Sequence, residues 1–180
     1  MSAKERKRKE EERKERRRRL GWGLVALVFV GTGLGLWQSQ SQRGEEALTE
    51  ALRRGDALLA QGQMDQAALY FRRAVELDPD RAEAWTRLAS VDAAQGRFAE
   101  SIPHYERALA LAPDHFEARI GLAIGQDGVG EFLAAEENYK RAIYLRPRFA
   151  EIYYNLAYLY QQQRLYADAV AQYEKALELK

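Results

Sequence analysis

The sequence predicts an all-α protein: a single N-terminal transmembrane helix followed by a solenoid of about four helix–turn–helix repeats. Three observations carry this prediction. An uncharged run, LGWGLVALVFVGTGLGLW, occupies residues 20–37 directly behind four arginines. Pro79, Pro113 and Pro147 recur at intervals of 34 residues. Between them, small, aromatic and aliphatic residues return to the same places in each interval.

Residues 1–19 are a basic tail. Lys4–Arg19 alternates blocks of sign, and Glu5/Lys9, Glu10/Lys14 and Glu12/Arg16 are i,i+4 pairs that would support a solvated helix. The tail has no apolar stripe for a coiled coil. No aromatic residue interleaves its charges, and glutamates dilute them, which argues against nucleic acid. Attraction to anionic lipid heads, about 1 kcal/mol per basic residue near the surface, is the simpler role. The net charge of +1 is the sum of this basic head and a mildly acidic body.

Residues 20–37 would form a helix about 27 Å long, close to the ~30 Å hydrocarbon core of a bilayer. Trp22 and Trp37 sit where an interfacial aromatic belt would lie. No small-x-small cleavage site follows, so the segment reads as an uncleaved anchor rather than a signal peptide. Arg16–Arg19 place the N-terminus in the cytoplasm and the body outside it, in the periplasm or its equivalent, as a single-pass protein of the cell membrane. Gly31 and Gly35, four apart, have the spacing of helix pairing in a membrane. Residues 38–46 read as a polar linker.

Residues 47–180 hold the repeats: 48–81, 82–115, 116–149 and 150–180. Fixed periods of this size mark stacked supersecondary units. Position 8 reads Gly55, Ala89, Ala123, Ala157; position 20 reads Ala67, Ser101, Ala135, Ala169; position 27 reads Ala74, Ala108, Ala142, Ala176. Small residues there let two helices cross closely. The aromatic series Phe71, Tyr105, Tyr139, Tyr173 at position 24 fills the space beside them. Gly62, Gly96 and Gly130 mark the turn inside a unit, with Arg164 in the fourth. Proline closes a unit because it cannot extend the second helix. Asp80/Glu83 and Asp114/Glu117 have the spacing of capping boxes at helix starts. Gly121, Gly125 and Gly128 in one first helix admit three explanations: a ligand backbone passing close, a flexible point, or drift.

With these landmarks the body resembles the tetratricopeptide repeat (TPR) family. The resemblance implies antiparallel helix pairs stacked into a right-handed superhelix whose first helices line a concave groove. It also implies groove residues. Position 5 gives Leu52, Thr86, Ile120 and Tyr154, and position 9 gives Asp56, Ser90, Ile124 and Tyr158. Positions 2, 12 and 13 contribute as well. Tyr154 and Tyr158 are the expected anchors, because tyrosine offers large contact area with few rotors. Tyr153 and Tyr160, at positions 4 and 11, are expected in the core. Arg54 and Ala51 make the first helix atypical and mark it as the solvated end.

With no cysteine there are no disulfides or thiolate sites. The two histidines, His104 and His115, have no evident metal or catalytic partner, and neither a phosphate-binding loop nor a catalytic constellation is visible. The expectation is therefore a non-enzymatic, cofactor-free, membrane-anchored TPR adaptor. It would bind a protein or peptide outside the cytoplasm, in assembly, maturation or secretion of envelope or membrane complexes. Two alternatives share the architecture: a constitutive subunit of a larger membrane complex or homo-oligomer, and a cytosol-facing receptor of reversed topology.

Overall fold

A computed structural model describes residues 40–179. The chain divides into two units, Met1–Glu46 and Ala47–Lys180. In the first, residues 40–46 are helical. The second is wholly helical among its described residues. Its helices are α1 (47–60, the part of the helical run 40–60 that lies in this unit), α2 (Met64–Leu77), α3 (Ala82–Ala94), α4 (Phe98–Leu111), α5 (Phe116–Gly128), α6 (Phe132–Leu145), α7 (Ala150–Gln162) and α8 (Tyr166–Glu178). Successive helices pack as neighbours along the chain, and first helices also touch one another, α3 with α5 and α5 with α7.

Each first helix stops in the same way. Gly62 N–H donates to Leu59 O and Gln63 N–H to Leu58 O, both at 2.9 Å. The same pair of bonds closes α3 through Gly96 and Arg97, α5 through Gly130 and Glu131, and α7 through Arg164 and Leu165. This is the Schellman arrangement, which satisfies the last helical carbonyls and needs one residue in the left-handed region. Gly62, Gly96 and Gly130 supply it at φ of 73°, 75° and 83°, and Arg164 at 61°.

The core is a row of clusters, each shared by adjacent helices. Leu48, Ala51, Ala74 and Ala84 form the first, and Ala67, Phe71, Leu88 and Val91 the next. Ala89, Tyr105, Ala108 and Leu122 follow. The last and largest gathers Phe116, Tyr139, Ile152, Leu156 and Leu159. Fully burying a side chain such as Phe71 contributes about 1.5–3 kcal/mol. The small residues at positions 8, 20 and 27 are all buried, as close crossing requires.

The glycines of α5 are explained by packing inside the chain. A Cβ on Gly121 would lie 2.2 Å from the Tyr105 ring, and one on Gly128 2.4 Å from Phe98. Two rings of α4 occupy the space that side chains there would need. Pro103 lies inside α4, at an exposed position.

Two expectations are corrected. No helix of the described residues is long and apolar enough to cross a membrane. The described helices are too short or too charged: α6, for example, places Glu136, Glu137, Lys140 and Arg141 within 14 residues, whereas a span needs about 20 consecutive apolar ones. Among the described residues the fold is an all-α solenoid without a membrane-spanning element, and the single-pass, extracytoplasmic placement is set aside. The run 20–37, with Gly31 and Gly35, and the tail 1–19 lie outside the described residues.

The capping boxes are also corrected. α3 starts with Arg81 as N-cap and has no side-chain cap, so Asp80 stands one residue too early. Its carboxylate accepts from Arg107 instead, at 3.2 Å. At α5 the cap is His115, whose Nδ1 accepts from Ala118 N–H at 3.3 Å.

Candidate binding surface

The eight expected groove residues all stand on first helices, and their exposure is graded along the array. Leu52 packs beneath the first two core clusters. Asp56 pairs with Arg87 at 3.4 Å. Thr86 is buried, and its hydroxyl donates to Ala82 O at 2.9 Å. Ser90 donates to Thr86 O at 2.8 Å and accepts from the Tyr105 hydroxyl at 3.2 Å. The polar members near α1 are therefore engaged within the chain. Ile120 and Ile124 are half-buried against the last core cluster. Tyr154 and Tyr158 alone among the eight are largely open, at 55% and 49% exposure.

The two tyrosines do not share a hollow. Tyr154 stands over α8, its ring 5.5 Å from that of Tyr173, and borders a hollow of about 690 Å³ between α7 and α8. Tyr158 borders one of about 400 Å³ lined from α4, α5, α6 and α7, with Phe98, Ile124, Tyr139, Asp127 and Gln162. Asp127 accepts two contacts from Gln162 Nε2, at 2.9 and 3.2 Å. Burial pushes its carboxyl above the ordinary aspartate value, and the Gln162 hydrogen bond only partly offsets this. The lining is mixed, with Asn155 also part of it, and Phe98 and Ile124 beside a half-buried carboxylate can take an apolar side chain next to a cationic or N–H donor. Asp127 and Gln162 fall at positions 12 and 13, among the general lining positions. Sequence reasoning singled out neither, because they stand 35 residues apart and meet only where α5 and α7 come together.

Tyr153 and Tyr160 are buried. The Tyr160 hydroxyl donates to Glu136 at 2.8 Å. Lys140 and then Tyr160 draw the Glu136 carboxyl below its usual range, against the effect of burial. His104 Nδ1 lies 3.1 Å from Asp92, a buried carboxylate that also accepts from Arg97. Among the described residues no group of three or more His, Cys, Asp or Glu could hold a metal ion.

Comparison with known proteins gives the same architecture. The tetratricopeptide repeat profile matches residues 52–116 and 86–124, a TPR repeat profile residues 130–163, and a further tetratricopeptide repeat profile residues 150–180. The chain belongs to the tetratricopeptide repeat family. Among solved structures, this TPR chain is similar to two of MamA, each at 28% identity and TM-score 0.67 over 73% of its length, covering 77% and 72% of those chains. It shares the fold of MamA 41-end from Desulfovibrio magneticus RS-1, at 22% identity and TM-score 0.69, over 73% of this chain and 75% of that one. A search of curated proteins gave no match. As a TPR array it is a scaffold for protein–protein interaction.

Proposed function

We propose that this TPR protein holds an extended segment of a partner polypeptide on the inner face of α5 and α7, for the assembly of a protein complex. Tyr158 is the aromatic anchor and Asp127 the charge that orients the partner. Binding, not catalysis, is the activity. The observation that carries this reading is the gradient along the groove: polar positions near α1 are internally bonded, while Tyr158 stands half open beside a hollow of mixed lining, in which Phe98 and Ile124 lie next to the Asp127 carboxylate, Asn155 and Gln162. A partner would place an aromatic or long aliphatic side chain against Tyr158 and Ile124, and a lysine, arginine or backbone N–H toward Asp127. Binding hot spots combine a buried apolar anchor with polar contacts around it in this way.

A displayed random-peptide library selected against the full chain tests the proposal. Enriched peptides should carry an apolar residue beside a basic one. Tyr158→Ala should weaken them by about tenfold or more. Asp127→Asn should keep the apolar preference and lose the basic one. Because the Asp127 carboxyl is raised, the basic preference should already fade under mild acid, as pH drops through that raised value. Peptides that bind Tyr158→Ala as tightly as the natural chain, or a library with no enrichment, would overturn the reading.

A further inference from the structure

A second face of the array is built for a helix. In α3, α5 and α7, positions 3, 7 and 10 pack onto the second helix of the preceding unit. Ala84, Leu88 and Val91 do so in α3, and Ile152, Leu156 and Leu159 in α7; all are buried. The surface that receives α7 includes Phe132, Tyr139 and Ile143 on α6. Moved one repeat onward, these become Tyr166, Tyr173 and Leu177 of α8, and Val170 completes the line. There the face is open: Tyr166 is 62% exposed, Val170 54% and Leu177 68%. The hollow of about 690 Å³ between α7 and α8, bordered by Phe149, Tyr154, Tyr173 and Leu177, is the seat that a following helix would fill.

The opposite end of the array is not its complement. In α1 the three corresponding positions are Glu50, Arg54 and Ala57. Glu50 is held by Arg53 at 2.8 Å and Arg54 at 2.6 Å. Stacking α1 of one copy onto α8 of another would bury this ion cluster, which costs more than the contact returns. Head-to-tail growth is therefore disfavoured.

α8 is, however, complementary to itself. Tyr166, Val170, Tyr173 and Leu177 follow the spacing i, i+4, i+7, i+11, a stripe along one side of the helix that fits the seat of a first helix. Beside the stripe lie Ala167, Ala171, Glu174 and Glu178. When two such helices run antiparallel, Tyr166 meets Leu177 of the other copy and Val170 meets Tyr173. Glu174 then faces Ala171 of the other copy, and Glu178 faces Ala167. The arrangement separates the glutamates of the two copies and lets alanines bring the backbones close.

We propose that this face is an isologous dimer interface, in which α8 of a second copy lies antiparallel in the hollow between α7 and α8 and receives α8 in return. The contact generates a closed two-fold pair and not a fibre. It is independent of the peptide surface except that Tyr154 borders it, and Tyr158 lies outside it.

The test uses the full chain, in which cysteine is absent. Sedimentation equilibrium should show dimers at about 100 µM, and Val170→Glu with Leu177→Glu should give monomers. Both residues are exposed, so circular dichroism and Tm of the double variant should match the natural chain. Ala171→Cys, beside the two-fold, should be joined copy to copy by a short bismaleimide, whereas Arg73→Cys on α2 should not. Adding Val170→Glu and Leu177→Glu should abolish the Ala171→Cys product. A monomeric natural chain, dimers that survive the double variant, or equal cross-linking at both sites would overturn the proposal. Loss of the dimer with peptide selection by Tyr158 intact would affect this proposal alone, and the reverse result would affect only the peptide reading.

Discussion

Three junctions between units are closed by the same hydrogen bond made with three different donors. Trp85 Nε1 donates to Pro79 O at 2.8 Å, the Arg119 guanidinium to Pro113 O, and the Tyr153 hydroxyl to Pro147 O at 2.8 Å. All three donors stand at position 4, six residues after the proline. The carbonyl lies in a turn beyond the second helix, and a long donor from the next helix is what reaches it. Ala51 opens the first unit, which has no repeat proline before it, so its departure from the pattern leaves no such carbonyl unmet. Replacing Tyr153 by Phe keeps the buried ring and removes only the donor. Urea denaturation should therefore show a loss of about 0.5–1.5 kcal/mol with an unchanged m-value. A loss near zero would mean that water serves that carbonyl equally well.

At the scale of single elements, the turn ending each first helix is the most regular feature. Its bonds are identical in all four units, but the fourth forces Arg164 into the left-handed region at φ 61°. A side chain there costs roughly 1–2 kcal/mol relative to a permitted conformation. Arg164→Gly should remove that strain and raise Tm, with the gain reduced by the extra freedom glycine gives the unfolded chain. The converse change, Gly96→Ala, should lower Tm. Position 11 shows a second local regularity. Asp92 meets His104 at 3.1 Å, and Gln126 accepts from Asn138 at 2.8 Å, so two units bury a polar pair between their helices at the same place. In the fourth unit Tyr160 fills that place and reaches Glu136 of the preceding unit instead.

Across the whole repeat unit, each cluster of the core is shared only by neighbouring helices, so stability is the sum of unit and interface terms. The clusters grow from the small Leu48 group to the large one around Tyr139 and Leu156. α1 offers a charged outer face, and α8 an apolar face without cover. Amide exchange should accordingly be slowest in α5, α6 and α7 and fastest in α1 and α8. Protection of α8 that rises with protein concentration would be the signature of the proposed pairing. Uniform protection along the array would argue that it opens as one block.

The sequence by itself determined the repeat: its period, the small residues at the crossings, the aromatic beside them, and the turn glycines. These follow from helix periodicity and local backbone preference, and neighbours along the chain dictate both. It overreached where a pattern had two outcomes. Asp80 and Asp114 have capping spacing, yet the helices begin later, and the glycines of α5 admit a ligand as readily as a ring until α4 is seen to supply Tyr105 and Phe98. The uncharged run 20–37 suggested a membrane helix by composition, whereas no described helix has the length and apolarity to be one. Only the tertiary structure decided which polar groups meet, that Thr86 and Ser90 are spent inside the chain while Tyr158 is not, and that α8 keeps an open stripe. Those outcomes depend on how helices a dozen or more residues apart cross, and crossing geometry is set by the packing of all their side chains together.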